Sequence, residues 1–150
     1  MKKIITVILV VGLLAGMTTF ALAKGTAKEA KGMLDKAVTY LKANGKDKAF
    51  AAFNDQKGQF VKDDLYIYVL DLTGTVVSHG TTPALIGKNL IDLKDSDGKK
   101  FVKAILDDAI AKGKGTLDYK WTNPTSKKVE KKSVFFEKVG DMILVCGFYK

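Results

Sequence analysis

The spacing of apolar residues predicts two helices before the first strand. Apolar side chains recur every three or four positions over residues 27–41, which is the period of one helical face. Thr26 and Glu29 have the spacing of a capping box at the start of this stripe, and Asn44-Gly45 is a stop signal after it. A second, shorter helix is predicted over residues 47–53, with two phenylalanines facing inward.

Five strands and a third helix are predicted for the rest of the chain. The helix ends at Gly113, and Asp97 is its predicted N-terminal cap. Runs of β-branched and aromatic residues between turn residues indicate the strands. These are Leu65–Leu70, Thr75–Ser78, Gly115–Trp121, Val129–Val139 and Met142–Phe148. Because short turns make neighbouring strands antiparallel, we expect an α+β fold with a sheet of about five strands and helices packed on one side of it.

The first 23 residues have the organisation of a secretory signal peptide. Lys2 and Lys3 precede an uncharged stretch that closes on the small-residue cleavage pattern Ala21-Leu22-Ala23. We expect cleavage after Ala23, which leaves residues 24–150 as one domain in the periplasm or outside the cell. The alternative is an uncleaved segment anchored in the inner membrane, because the stretch Ile4–Ala23 is long enough to span a bilayer.

The chain is basic, and its positive charge comes from lysine alone. Its 150 residues carry a formal net charge of +9, and all 25 basic residues are lysine. Without arginine there is no bidentate clamp for carboxylate or phosphate, so lysine and backbone N–H groups must recognise any anion. The excess charge leaves open a basic cell-surface protein that binds polyanions. We expect no nucleic-acid partner, because export separates the domain from the cytoplasm.

The sequence contains no arrangement typical of catalysis or of a metal centre. His79 is the only histidine, and a single histidine without a neighbouring cysteine or carboxylate cluster is not a metal site. No nucleophile–base motif such as G-x-S-x-G is present. The single Cys146 lies in an apolar, strand-like run, which is typical of a small buried side chain. We therefore expect neither an enzyme nor a cofactor.

Five ordered segments of the sequence resemble single Cache domains of the second type. The segments are Asp64–His79, Pro83–Leu90, Asp97–Val102, Tyr119–Pro124 and Lys132–Gly140. The resemblance implies a PAS-like antiparallel sheet behind a long amino-terminal helix, with a small-molecule pocket on the sheet. It also implies an extracytoplasmic sensory module for a short organic acid. We expect this module to lack an output domain of its own, so a membrane-bound receptor or transporter would receive the ligand or the signal.

Strand alternation places several candidate ligand contacts on one face of the sheet. Tyrosine hydroxyls can hydrogen-bond a ligand, tryptophan can exclude water and lysine can neutralise a carboxylate. Each residue also has a structural explanation, since aromatic side chains are common in strands and Lys132 lies in a lysine-rich run typical of a solvated face. Its match to a family segment is what favours Lys132. The candidate ligand-binding residues are Tyr66, Tyr68, His79, Tyr119, Trp121 and Lys132.

The ligand and the oligomeric state stay open at this point. Acetate, propionate, lactate and pyruvate all belong to the expected class of small carboxylates. A pocket without Lys132 would count against this class. Long amino-terminal helices often pair, so a homodimer through this helix is one alternative and a monomer is the other.

Overall fold

A long helix, a six-stranded sheet and a second helix make up the described part of the chain. The computed structural model describes residues 21–150, so nearly all of the predicted signal peptide lies outside the described residues. The helices are α1 (Ala27–Asn54) and α2 (Phe101–Lys112), with a short 3-10 helix at Pro83–Leu85 between them. The strands are β1 (Val61–Lys62), β2 (Leu65–Asp71), β3 (Val76–His79), β4 (Lys114–Thr122), β5 (Val129–Val139) and β6 (Met142–Tyr149). Within residues 21–150, no helix has both the length and the apolar character needed to cross a membrane.

Helix α1 consists of two helical segments that meet at a kink. The Thr26 hydroxyl accepts a hydrogen bond from the Glu29 backbone N–H at 3.2 Å, and the Glu29 carboxylate accepts one from the Thr26 N–H at 2.9 Å. Gly45 has φ 78° and ψ 171°, a backbone conformation that is costly for any residue with a side chain. The predicted capping box, the two helices and the break between them are confirmed.

The sheet is antiparallel throughout the described residues. Strands β1, β2, β6, β5 and β4 lie side by side in that order, and β3 also pairs with β2. The α+β class and the antiparallel sheet are confirmed. The additional strand is β1, which has only two residues and therefore shows no alternation that a sequence pattern could reveal.

Helices cover both faces of the sheet, so the expectation that they lie on one side is wrong. Helix α1 packs on the face that carries Leu65, Ile67 and Val69 of β2. Helix α2 packs on the opposite face, which carries the alternate residues of β2. All of Leu65–Leu70 is buried. A strand that is apolar on both faces needs a covering layer on each side, and this requirement explains the three-layer arrangement.

Cys146 lies in the core between α1 and the sheet. It is fully buried, and burial raises the pKa of its thiol to about 12. The thiol therefore stays protonated at neutral pH and packs as a small apolar group, as predicted.

The segment before α2 protects a sheet edge and does not cap the helix. The N-cap residue of α2 is Lys100, without a side-chain cap, so the predicted capping role of Asp97 is wrong. Asp97 instead pairs with Lys120 of β4 at 2.8 Å. The carboxylate of Asp95 accepts a hydrogen bond from the Lys120 backbone N–H at 2.9 Å. These contacts occupy the outer edge of β4, which would otherwise be open to pairing with another chain.

Gly45→Ala is expected to destabilise the protein by about 1–3 kcal/mol, because alanine is strained at the kink. Gly32→Ala in the same helix is the matched control. Gly32 lies in regular helix with open space around it, so alanine there should stabilise by roughly 0.5–1 kcal/mol. Chemical denaturation of both variants measures the difference. Equal effects at the two positions would contradict a kink that depends on glycine.

Candidate functional site

A narrow cavity lies between the sheet and the layer formed by α2 and the segment before it. Its volume is about 20 Å³, which is room for roughly one water molecule. The residues that line it are Tyr66, Tyr68, Leu70, Val76, His79, Leu85, Leu90, Phe101, Val102, Tyr119 and Trp121. Five of the six candidate residues thus line this cavity together. Lys132 does not line it.

The register of β2 and β3 gives the cavity a polar end and an apolar end. Tyr66, Tyr68 and Leu70 follow one another on the same face of β2. His79 of β3 lies opposite Tyr68, and Val76 lies opposite Leu70. The hydroxyls and the imidazole are therefore grouped toward the start of β2, and aliphatic side chains toward its end. A ligand with a polar head and an apolar tail fits this gradient along β2.

Lys132 places a fully buried ammonium group behind the polar end. Its side chain is 0% exposed, and Nζ donates a hydrogen bond to the Tyr66 hydroxyl at 2.7 Å. The same Nζ lies 4.0 Å from the ring centroid of Tyr66, 5.1 Å from that of Tyr149 and 5.7 Å from that of Tyr68. The electron-rich ring faces attract the cation. Lys132 therefore reaches the cavity through Tyr66 and not directly. The direct contact expected from the sequence is absent, and a lining without Lys132 counts against a small carboxylate unless the cavity walls move.

No carboxylate of the described residues forms an ion pair with Lys132. Its strand neighbour Lys131 does form one, with Asp118 at 3.4 Å on the solvent side. The fully buried carboxylate of Asp64 accepts hydrogen bonds from the Gly25 N–H at 2.7 Å and from the Asn123 side chain at 3.1 Å. Among the described residues, the ammonium group of Lys132 therefore has no carboxylate within ion-pair distance.

His79 is held in one neutral tautomer at the polar end. Its Nδ1 accepts backbone hydrogen bonds from Thr82 at 3.0 Å and from Thr81 at 3.3 Å. The ring proton of the neutral imidazole must therefore be on Nε2. Burial, and then the positive charge of Lys132, lower the pKa of His79 from 6.5 to about 3. Near neutral pH, His79 is an uncharged hydrogen-bond donor.

Aromatic side chains from β4 and α2 form a second wall of the cavity. The hydroxyls of Tyr119 and Tyr68 lie 3.1 Å apart, and burial raises the pKa of both phenols, so both keep their protons. The Phe101 ring stacks on Tyr119 with centroids 4.2 Å apart and meets Trp121 edge-on at 5.3 Å. Tyr119 is buried and Trp121 is half-buried. Trp121 is therefore the member of this wall that lies nearest to solvent.

Tyr149 is part of the site but was not predicted from the sequence. It pairs directly with Lys132 across β5 and β6, and its hydroxyl donates to the Thr122 carbonyl at 3.0 Å. A signal was present in the sequence. Counting outward from the predicted turn at Gly140-Asp141, where Val139 pairs with Met142, brings Tyr149 opposite Lys132.

A family model for the Cache domain matches residues 18–149, which is most of the chain. The chain belongs to the Cache family. The predicted family is thereby confirmed, together with the PAS-like sheet described above. Cache domains are extracytoplasmic sensory modules, and the description of this chain as a sensory domain rests on that membership.

Three of the solved structures similar to this Cache domain come from chemosensory proteins. A methyl-accepting chemotaxis protein from Vibrio parahaemolyticus RIMD 2210633 is 28% identical, with a TM-score of 0.70 over 81% of this chain and 86% of that chain. A periplasmic sensor domain of a chemotaxis protein is 24% identical, with a TM-score of 0.63 over 81% and 88% of the two chains. A Cache chemosensory domain described for its carboxylic acid recognition is 22% identical, with a TM-score of 0.62 over 81% and 86%. No curated protein matches the chain.

The lowered pKa of His79 predicts a loss of stability in acid. The unfolded chain takes up a proton near pH 6.5, whereas the folded chain does so only near pH 3. The contribution of His79 is therefore complete above pH 6.5 and is lost as the pH falls toward 3. Between pH 6.5 and 5 we expect a loss of about 2 kcal/mol. The side-chain oxygen of His79→Asn can still accept a hydrogen bond from Thr82, so this variant should lose the pH dependence of the unfolding free energy that His79 causes. Chemical denaturation at several pH values measures it, and an unchanged pH dependence would contradict the assignment.

Proposed function

We propose that this Cache domain is an extracytoplasmic sensory module that binds a short-chain monocarboxylate beside Lys132. The observation that carries the proposal is the buried ammonium group without an acidic partner among the described residues. Removing a charge from water is costly unless an opposite charge and hydrogen bonds compensate for it. A bound carboxylate supplies both. One structural relative is described for carboxylic acid recognition, and Lys132 gives this chain a physical reason of its own to bind the same class.

The gradient along β2 sets the orientation of the proposed ligand. Its carboxylate lies toward Tyr66 and His79, where a phenol, the Nε2–H group and the Lys132 charge converge. Its tail points toward Leu70 and Val76 at the apolar end. Lys132 has three N–H donors, and the Tyr66 hydroxyl accepts from one of them. Because Lys132 does not line the cavity, an anion reaches the other two donors only after the walls move.

The size of the cavity restricts the ligand to small acids and requires the walls to move. A volume of about 20 Å³ suits one water molecule, whereas acetate already has four heavy atoms. Leu85, at the end of the short 3-10 helix, and Leu90 are the wall residues on the segment between β3 and α2. This segment is tied to β3 by a hydrogen bond from the Gly87 N–H to the Val76 carbonyl at 2.7 Å. Displacement of the two leucines is the simplest way to admit a ligand.

The partner and the assembly state belong to the same proposal. The bound state is passed to a membrane-bound receptor or transporter, as for a sensory module that acts outside the cytoplasm. A homodimer would form through α1. The exposed surface of α1 carries charged side chains such as Lys28, Asp35 and Lys42, so this interface would be polar and sensitive to salt.

Lys132→Met is expected to abolish carboxylate binding without destabilising the protein. Methionine keeps an unbranched stem but removes the charge, and the loss of an unpaired buried charge is neutral or favourable for stability. Thermal unfolding of residues 24–150 at fixed ionic strength, with acetate, propionate, lactate and pyruvate in turn, measures binding. A ligand at about 100 times its Kd raises the free energy of unfolding by about 2.7 kcal/mol and raises Tm by a few degrees. Affinity should fall at least about tenfold in the variant.

Lys131→Met is the matched control for this experiment. It removes the same charge from the adjacent residue of β5, but Lys131 is exposed and pairs with Asp118. Carboxylate binding should therefore be unchanged. Equal binding by wild type and Lys132→Met would contradict the proposed site. If only polyanions raise Tm, and the rise disappears at high salt concentration, the proposal is overturned in favour of a basic surface protein.

Alanine is expected not to bind where lactate does. The two molecules differ only in an α-ammonium group in place of a hydroxyl, and the cavity wall contains no aspartate or glutamate that could receive the ammonium group. A second positive charge near Lys132 would add repulsion. Calorimetric titration with lactate, pyruvate and alanine tests this selection. Comparable affinities for lactate and alanine would mean that the wall recognises the carboxylate alone.

A further inference from the structure

We infer that Gly147 is a positioning residue for the anion site. Because glycine has no side chain, there is room at this position for the Lys132 side chain to extend to the tyrosines. The consequence for ligand binding rests on the proposed function. The positioning itself depends only on the arrangement of the sheet.

Strand order explains why such a path is needed. Lys132 is on β5 and Tyr66 is on β2, and β6 lies between these two strands. Neighbouring strands are about 4.8 Å apart, so the lysine stem must cross the backbone of β6 before its ammonium group can meet the Tyr66 hydroxyl. Gly147 is the residue of β6 beneath this crossing. It pairs with Val134, two positions after Lys132 on β5.

A side chain at position 147 would occupy the path of the lysine. A Cβ atom built there lies 2.6 Å from Cε of Lys132, 2.6 Å from Cγ1 of Val134 and 2.8 Å from the Ser133 carbonyl oxygen. Each distance is shorter than a carbon atom tolerates. Of the three neighbours, only the far end of the lysine side chain can move away easily. Its displacement relieves one contact, and the contacts with the β-branched Val134 and the Ser133 backbone remain as a cost in stability.

Glycine at this position is therefore explained by the close approach and not by backbone conformation. Gly147 lies within regular strand β6, outside the positive-φ glycines of the described chain. Glycine in a strand interior lowers stability, since it contributes no packing and loses more conformational entropy on folding. The lysine stem that passes over it supplies the compensating contact.

Gly147→Ala should expel the Lys132 ammonium group from its position among the tyrosines. The measurement is the reactivity of Lys132 toward acetic anhydride in the folded protein, quantified by peptide mass spectrometry relative to the exposed Lys131. Lys132 is protected in the wild type because it is fully buried. We expect its labelling rate to rise at least about tenfold in the variant, and its affinity for propionate to fall by a similar factor.

Gly115→Ala is the matched control. A Cβ atom at Gly115 of β4 would lie 2.7 Å from Cζ of Phe136, so this variant also crowds a buried side chain of the sheet, but not Lys132. It should lose stability while Lys132 stays protected and propionate binding is retained. A folded Gly147→Ala protein in which Lys132 is as protected as in the wild type would overturn the inference.

A double variant keeps the inference testable if Gly147→Ala folds poorly. Lys132→Ala removes the stem with which the new methyl group collides, so Gly147→Ala should be less destabilising in the Lys132→Ala background than alone. Equal destabilisation in the two backgrounds would show that the collision with Val134 or Ser133 dominates and would contradict the inference. If the wild type binds no carboxylate, the proposed function fails, whereas the labelling result still decides the role of Gly147.

Discussion

The unpaired ammonium group of Lys132 is the constraint on which the arrangement of this Cache domain depends. A buried positive charge is retained only where its surroundings compensate for the loss of water. Here three tyrosine rings and one phenol oxygen provide part of that compensation. They come from β2 and β6, and they meet the lysine of β5 because β6 lies between β2 and β5. The strand order of the sheet thus determines which tyrosines surround the Lys132 ammonium group.

One face of the sheet forms the main apolar core with α1, and the opposite face carries the candidate binding site. The face under α1 is filled by aliphatic and phenylalanine side chains, including an edge-on contact of Phe53 and Phe60 with centroids 4.8 Å apart. The opposite face carries the tyrosines, His79 and the cavity. Because alternate residues of β2 serve the two faces, the apolar side anchors the strand that presents Tyr66 and Tyr68. Movement of the cavity walls can then leave the α1 core intact.

Periodicity was sufficient for most of the fold and for part of the site. The helical stripes, the break at Gly45 and the hairpin strands depend on local patterns, and the Cache resemblance supplied their arrangement. The prediction missed that α2 covers the second face of the sheet. The apolar sequence of β2 indicates that both of its faces are buried, but not which element covers each face. The burial of Lys132 within a lysine-rich run was suggested only by the resemblance, since composition indicates a solvated face. Gly147 and the wall residues Leu85 and Leu90 depend on contacts across strands and loops, which no local pattern contains.

The same lysine also determines what His79 can contribute. Burial and the Lys132 charge keep the imidazole neutral down to about pH 3, and two backbone N–H groups fix which nitrogen carries its proton. His79 is therefore a neutral donor across the pH range in which a free histidine would titrate. Its contribution to the site then changes little between neutral and mildly acidic conditions. The limit is set by the ligand, because a carboxylate loses its charge as the pH falls below its own pKa. The buried lysine thus keeps its histidine neighbour from coupling anion binding to the proton concentration in this range.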